Sequence, residues 1–329
     1  MRRLACPVCG SEVFFDSLTC LNCGTELAWA PGAGRVVALA EPCANRAEIL
    51  CNWEGQGEAG WEAGGLCRAC ALTETIPDLS VPGNRLRWGR IEEAKRWLLY
   101  SLLRLGLPLV ARSGNALRFR LLADEVEADG TVKRVLTGHE DGLVTLNIAE
   151  ADDAVREALR VEMGEPYRTL LGHFRHEVGH FYFDVLVEEG GRRDEFDALF
   201  GDPGADYAEA LRRHYAEGAP LDWAERHVSA YAASHPWEDW AETFAHWLHM
   251  TDGLDTAAAY GLGEDVGAYG AMAAEALVAA WIPLSVAMNA MNRAMGQADF
   301  YPFVLAPRVV EKIAFVHGLA GVGALAEAA

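Results

Sequence analysis

The spacing of apolar residues divides the chain into an early region of strands and a later region of helices. Residues 117–122 and 142–148 alternate aliphatic or β-branched residues with polar ones, which predicts two strands. From Ala151 onward the spacing is mostly helical. An amphipathic helix is predicted between Arg90 and Leu105, where apolar residues recur every three or four positions: Ile91, Ala94, Trp97, Leu98 and Leu102. Strands followed by helices indicate an α+β fold.

The distribution of cysteine divides the chain a second time. All eight cysteines lie between Cys6 and Cys70, and a segment with two prolines and a glycine follows at 76–84. We therefore expect a cysteine-rich module over residues 1–75, a linker over 76–90 and a second domain over 91–329. A chain of 329 residues is long enough for one large core and a small accessory module.

Charge argues against a nucleic-acid partner. The formal net charge of −20 repels a phosphate backbone, and residues 1–75 themselves carry five Arg against nine Asp or Glu. Residues 81–120 carry nine Lys or Arg against two Glu, but these are spread over a predicted loop, helix and strand. We interpret this stretch as a solvated surface and expect no nucleic-acid binding.

No membrane segment is expected from the sequence. The two arginines at the start are not followed by an apolar stretch, so we expect no secretory signal and a cytoplasmic protein. The longest uncharged run, Ala276 to Asn292, has 17 residues and contains Pro283, which makes it short and polar for a span. We expect a buried core helix there.

The cysteines form two quartets with metal-ligand spacing. Two Cys-x-x-Cys-Gly knuckles suit one tetrahedral metal, because each turn aims two thiolates inward: Cys6, Cys9, Cys20 and Cys23. A second quartet has looser spacing: Cys43, Cys51, Cys67 and Cys70. Iron instead of zinc, disulfide bonds and an interleaved pairing of the two sets remain as alternatives. A reducing compartment favours two structural zinc ions over disulfides.

A helical His-x-x-x-His pair is the strongest candidate for catalysis. Residues 166–187 are predicted to form a helix, on which His176 and His180 project from one face and can share a metal. Glu177 lies beside them, where it can take a proton from water bound to zinc. This arrangement suits hydroxide attack on a polarised carbonyl.

A third ligand is expected from the helix predicted around residues 237–247. Glu242 is our choice, with His246 and then His249 as alternatives. Asp239, His246 and Asp184 are candidates for orienting a ligand histidine. We interpret His173 as a hydrogen-bonded helix residue rather than a substrate contact. Three further residues are weaker candidates for oxyanion or substrate contacts: His139, Tyr231 and His235.

These motifs together resemble a bacterial family of zinc-binding metallopeptidases with an N-terminal zinc ribbon. The resemblance rests on the two knuckles, Gly142 to Asp152, His176 to His180, and Asp239 to His246. More distantly the chain is similar to gluzincins such as thermolysin, which implies a zincin-like fold, a glutamate ligand at Glu242 and a peptide-pairing edge strand at 143–148. It departs from them at His246, because thermolysin-like enzymes have an aspartate four residues after the ligand glutamate.

The sequence therefore predicts a zinc-dependent metallopeptidase acting on a peptide or protein substrate. One catalytic zinc and two structural zinc ions are expected. The alternative is a nonenzymatic zinc protein, a partner-binding or regulatory module with a structural metal at the His-Glu-x-x-His motif. An open coordination position would favour the enzyme, whereas a fourth protein ligand such as His246 would favour the alternative.

Overall fold

The computed structural model describes residues 2–55, 65–126, 129–162, 165, 167–270 and 272–326. Residues 56–64 of the expected cysteine module and Pro166, the expected start of a helix, lie outside the described residues. The chain divides into two compact units. The first, which we call the N-terminal unit, comprises residues 2–104 and 116–159, and the second, the helical unit, comprises 105–115 and 160–329.

Small β-hairpins and helical turns build the cysteine-rich part of the N-terminal unit. Strand β1 (Leu4–Ala5) pairs with β2 (Glu12–Val13), and β3 (Leu27–Ala30) pairs with β4 (Arg35–Ala38), both antiparallel. Two one-turn helices follow, α1 (Arg46–Ile49) and α2 (Arg68–Ala71). Large buried side chains hold this part together, among them Phe15, Trp29 and Trp53.

A four-stranded sheet completes the N-terminal unit. Its strands are β5 (Thr73–Thr75), β6 (Arg118–Leu122), β9 (Gly138–Glu140) and β10 (Leu143–Asn147), in the order β5-β6-β10-β9. A separate hairpin joins β7 (Glu125–Val126) to β8 (Val132–Lys133). The two predicted strands are present as β6 and β10. The expected edge strand at 143–148 is wrong, because β10 pairs with β6 on one side and with β9 on the other.

Helix α3 (Asn84–Arg104) begins inside the expected linker. Its first turns bury Trp88, and Gly89 lies against Ile49, so that an added methyl group would be 3.8 Å from the Ile49 Cα. The prolines and glycine at 76–84 indicated a linker, but the helix begins at Asn84, with Arg85 and Arg90 exposed on its surface. The expected division at 1–75, 76–90 and 91–329 stays a prediction, and α3 accounts for part of its linker.

Helices make up most of the helical unit. They are α5 (Leu170–Tyr182), α6 (Arg193–Phe200), α7 (Tyr207–Glu217), α8 (Trp223–Arg226), α9 (Pro236–Ala259), α10 (Ala274–Ala294) and α11 (Pro307–Ala326). Helix α4 (Asp153–Glu162) spans the boundary of the two units. A π-helical turn at Phe183–Glu188 extends α5. The strands-then-helices order confirms the predicted α+β class.

The uncharged run at 276–292 forms α10, but it is not the buried core helix that the sequence suggested. Leu277, Val278 and Trp281 are buried on one face, whereas Ile282 and Val286 on another face are 46% and 61% exposed. By length and composition alone, α10 is long and apolar enough to cross a membrane, with a mean hydropathy of 1.4 over its most apolar 18 residues. Of those 18 residues, 28% are buried in the protein. The hydropathy pattern could not distinguish a face packed on the core from an apolar face left in solvent.

Candidate metal centres

The first cysteine quartet comes together in the hairpins of the N-terminal unit. The sulfur atoms of Cys6 and Cys23 lie 3.6 Å apart, as do those of Cys9 and Cys20. Four sulfurs held at about 2.3 Å from one tetrahedral zinc would lie about 3.8 Å from each other, so the quartet fits that ion. Gly10 and Gly24, with φ of 74° and 72°, let the backbone turn tightly behind each knuckle.

The second quartet is equally compact and more deeply placed. Cys51 Sγ lies 3.6 Å from Cys67 Sγ and 3.8 Å from Cys70 Sγ, and Cys43 Sγ accepts a hydrogen bond from the Cys67 amide. The cysteines therefore group in two sequential sets rather than interleaved ones, and none of the eight forms a disulfide bond. All four side chains of this set are buried, whereas Cys9 and Cys23 of the first set are exposed.

This difference in exposure predicts the order in which the cysteines react. We expect a thiol-blocking mercurial to modify Cys9 and Cys23 first and to release the zinc of the first quartet before that of the second. Zinc release followed with a chromogenic chelator should show two phases, and mass spectrometry of the modified peptides assigns them. Equal modification rates for Cys9 and Cys51 would contradict this prediction.

Two helices of the helical unit carry the candidate catalytic site. Helix α5 begins after Thr169, whose Oγ1 accepts a hydrogen bond from the Gly172 amide. Helix α9 begins after His235, whose Nδ1 accepts one from the Trp237 amide. The helices touch at Gly179, where an added Cβ would lie 2.9 Å from the Ala241 Cα. This close approach brings the histidines of α5 against the carboxylates at the start of α9.

His176, His180 and Glu238 form the group that can hold a metal. Their ligand atoms all lie within 4.8 Å of one another. Glu238 Oε2 is 3.0 Å from His176 Nε2 and 3.8 Å from His180 Nε2, and no well-aligned hydrogen-bond donor reaches this buried oxygen among the described residues. Two imidazole nitrogens and one carboxylate oxygen are a donor set that suits zinc.

Glu242, the ligand expected from the sequence, contacts His176 from the other side of the ring. Its Oε1 lies 2.8 Å from His176 Nδ1, and its Oε2 accepts a hydrogen bond of 2.7 Å from the Ser229 hydroxyl. Both carboxylate oxygens of Glu242 therefore have partners other than His180. The group that could hold a metal therefore contains Glu238, which the sequence analysis missed, whereas Glu242 contacts His176 Nδ1; Glu242 as the third ligand stays a prediction.

The electrostatics of the group favour a bound cation. Burial opposes ionisation of Glu238, but His180 and His176 lower its pKa to about 2. Burial also opposes ionisation of Glu242, and the hydrogen bond with His176 lowers its pKa to about 2. Burial opposes protonation of His176, yet the two carboxylates raise its pKa well above the ordinary value. The ring of His176 thus lies between two carboxylates, and Glu238 places a negative charge among the three residues that could hold a cation.

Glu177 is buried on α5 between the two histidines, as its position in the motif requires. His173 Nε2 lies 3.2 Å from Glu177 Oε1. Burial opposes ionisation of Glu177, but this contact with His173 lowers its pKa below the usual value. His173 is therefore a hydrogen-bonded helix residue, as interpreted from the sequence, and its partner is the candidate base.

Of the three residues expected to orient a ligand, Asp239 and His246 have other partners, and the role of Asp184 stays a prediction. Asp239 is fully buried, where it pairs with Lys312 and lies 3.1 Å from His227 Nδ1. His246 Nδ1 lies 2.7 Å from the Tyr301 hydroxyl, and burial lowers the pKa of His246 to about 4. Asp184 lies in the π-helical turn. Two other side chains contact the metal group: Tyr207 donates a hydrogen bond of 2.7 Å to Glu238 Oε1, and Glu242 contacts His176 Nδ1.

The weaker candidates have separate positions. His139 Nε2 accepts a hydrogen bond from the Gly142 amide in the β9–β10 turn, and His235 caps α9, so both have structural partners. The Tyr231 ring lies 5.9 Å from the ring of His176, which keeps it near the metal group. Tyr207 was missed because it belongs to α7, 31 residues before Glu238, and no spacing rule connects the two.

Comparison with known proteins agrees with this geometry. A family model described as "Putative zinc-binding metallo-peptidase" matches residues 84–319, and one described as a zinc-ribbon domain matches residues 3–42. Uncharacterized proteins of Mycobacterium tuberculosis and Mycobacterium bovis are 44% identical over 331 positions, covering 96% of this chain and 94% of theirs. No solved structure matches the chain. The first family model covers most of the sequence, and the resemblance to zinc-ribbon metallopeptidases is confirmed. The chain therefore belongs to this zinc-binding metallopeptidase family, with a zinc-ribbon domain at its N-terminus.

Proposed function

We propose that the protein is a zinc-dependent peptidase in which His176, His180 and Glu238 hold the metal and Glu177 is the general base. The observation that carries the proposal is the three-residue ligand group beside a buried glutamate on the same helix. Within the described part of the chain, the group includes no fourth protein ligand, and His246 is engaged by Tyr301 instead. A three-residue set leaves a coordination position for water or substrate, which distinguishes catalytic zinc from structural zinc.

Each residue of the site has a distinct task in this proposal. Zinc bound there would lower the pKa of water and polarise a carbonyl oxygen. Glu177 accepts the proton that water loses and delivers it to the departing amine. His173 keeps the Glu177 carboxylate oriented for this transfer. The partly buried Tyr231, close to His176, is a candidate to donate a hydrogen bond to the carbonyl oxygen of the substrate.

With Glu238 as the metal ligand, a carboxylate again stands four residues after the ligand glutamate, as in thermolysin-like enzymes. With Glu238 as the ligand, the residue four positions later is Glu242, and its carboxylate contacts His176 Nδ1. A carboxylate at this nitrogen fixes the ring so that Nε2 faces the metal. This assignment is compatible with gluzincin-type chemistry, with glutamate in place of the aspartate.

Metal removal tests the proposed function. We expect the purified protein to hydrolyse casein or a quenched fluorescent peptide library, to lose this activity on dialysis against 1,10-phenanthroline, and to regain it when zinc is added back. Mass spectrometry of the products identifies the bonds cleaved. Zinc-loaded protein that retains three metals per chain but cleaves no peptide would instead favour the nonenzymatic alternative.

A further inference from the structure

One long face of helix α10 is left uncovered in the described part of the chain. The opposite face packs on α9 and α11, and Trp281 lies so close to Gly253 of α9 that an added Cβ would be 2.5 Å from the indole ring. The uncovered face carries exposed apolar residues at every third or fourth position, among them Ala276, Ala279, Ile282, Val286, Ala290 and Ala294. A surface of this kind is stabilised when a partner covers it.

The residues of this face are placed symmetrically about the middle of the helix. Ile282 lies two residues before position 284, and Val286 lies two residues after it. The only two charged residues of α10, Glu275 and Arg293, lie nine residues before and nine residues after the same position. Two antiparallel copies of α10 related by a twofold axis there would place Ile282 against Val286 of the second copy. They would also place Glu275 against Arg293 of the second copy at each end.

The two charges of α10 are open to a partner. They are eighteen residues apart, which is about five helical turns, so Glu275 and Arg293 lie on the same side of the helix. Glu275 is exposed and forms no ion pair within the described residues. Arg293 donates two hydrogen bonds of 2.6 Å to Asp299, but its side chain remains 68% exposed and can donate to a second carboxylate. A second copy therefore supplies the opposite charge at both ends of the helix.

A second copy fits this face better than a lipid surface does. Helices that lie on membranes carry several Lys or Arg on their polar side, whereas α10 has one Arg, and anionic headgroups repel a chain with a net charge of −20. A membrane-spanning position would remove Trp281 from α9. The alanines instead allow two helix axes to approach to about 8 Å. Repulsion between two acidic copies acts mainly within about 8 Å at physiological ionic strength, and the charges of α10 itself cancel.

We propose that the uncovered face of α10 is a docking surface for a second copy of this chain, and that the two helices pair antiparallel about a twofold axis near position 284. The helix is about 30 Å long, so a contact confined to it falls below the roughly 1,200 Å² of a stable interface of ordinary size. The dimer is therefore reversible, with a Kd on the order of micromolar. This inference does not depend on the proposed peptidase activity.

Charged substitutions on the face test the docking surface. Sedimentation velocity of zinc-loaded full-length protein between about 1 µM and about 100 µM should show a sedimentation coefficient that rises with concentration. Val286→Glu and Ala279→Glu should each raise the Kd of the dimer by at least about tenfold, because a charge would be buried without a partner. Leu221→Glu is the matched control, since Leu221 is fully exposed outside α10 and its replacement should leave the Kd unchanged.

Charge reversal tests the antiparallel pairing. The arginine of Glu275→Arg would face Arg293 of the second copy, and the glutamate of Arg293→Glu would face Glu275, so each variant alone should dimerise about fivefold more weakly than the wild type. In a mixture of the two variants, opposite charges meet at both ends, and the wild-type affinity should return. Parallel pairing would leave the affinity of the single variants unchanged, because like charges would face each other in the wild type already.

Other outcomes would overturn the inference. A protein that stays monomeric up to about 100 µM and binds no vesicles has no docking surface on α10. A dimer whose Kd is the same in Val286→Glu and Ala279→Glu as in the wild type uses another surface. Flotation of monomeric protein with vesicles of phosphatidylcholine and phosphatidylglycerol, abolished by Val286→Glu, would identify lipid as the partner of this face.

Discussion

Replacing Glu177 by glutamine is expected to reduce peptide hydrolysis by at least about a hundredfold while the zinc content stays unchanged. Glutamine keeps the size of the side chain and a hydrogen-bonding oxygen for His173, but it cannot accept a proton. Glu177 is not one of the three residues whose ligand atoms converge, so its replacement leaves the metal group intact. Initial rates on a fluorogenic peptide, together with elemental analysis of the same preparation, measure both quantities.

The control for this variant is a glutamate in the same helical segment. Glu188 is exposed at the end of the π-helical turn, where it pairs with Arg193, and Glu188→Gln should keep full activity. Loss of activity in both variants would indicate a general effect on the helix. Full activity of Glu177→Gln would exclude Glu177 as the base and refute the proposed mechanism.

The second large effect is expected at Glu238, which lies with His176 and His180 in the group that could hold a metal and is our proposed third ligand. Glu238→Ala removes the oxygen that faces both histidines, and we expect zinc affinity at this site to fall by more than the roughly 10- to 100-fold loss typical of residues that only orient a ligand. Cadmium-113 NMR distinguishes this nitrogen-and-oxygen site from the sulfur sites, whose occupancy should not change.

Glu242→Ala is the matched comparison, because it shortens a glutamate one turn later on the same helix. It leaves the three ligands in place and removes only the partner of His176 Nδ1, so a smaller loss of affinity, about 10- to 100-fold, is expected. The reverse order, with Glu242→Ala losing the metal and Glu238→Ala keeping it, would restore the original expectation and refute the present assignment.

The difference between the predicted third ligand, Glu242, and the glutamate found with the two histidines, Glu238, shows which part of the site can be derived from the sequence. Two histidines four residues apart must share a helical face, so spacing alone identified His176 and His180 as partners. Glu238 and Glu242 also share a face, and either could meet a metal between the helices. Their roles are decided by which nitrogen of His176 each carboxylate meets, and this depends on how far α9 is shifted along α5.

Other differences have the same origin in tertiary packing. Strands β6 and β10 were recognised from local alternation, but the neighbours of β10 depend on pairing with β9, which the pattern does not encode. The helical periodicity over residues 90–105 was recognised correctly, but α3 starts earlier, at Asn84, where Trp88 is buried and Gly89 lies against Ile49. The cysteine sets were predictable because the two cysteines of a Cys-x-x-Cys turn are brought together by the local backbone. The contact of Tyr207 with Glu238 depends instead on the packing of helices that are distant in sequence.

The contact of Gly179 with Ala241 connects metal supply to the stability of the helical unit. The same interface that holds α5 against α9 also sets the spacing of the ligands, so zinc binds only where the helices are in contact. A ligand that binds the folded state alone stabilises it by about 2.7 kcal/mol when its free concentration is a hundred times its Kd. The thermal midpoint of this unit should therefore rise with the free zinc concentration. A side chain at position 179 that pushes the two helices apart would lower both the stability of the fold and the affinity for zinc.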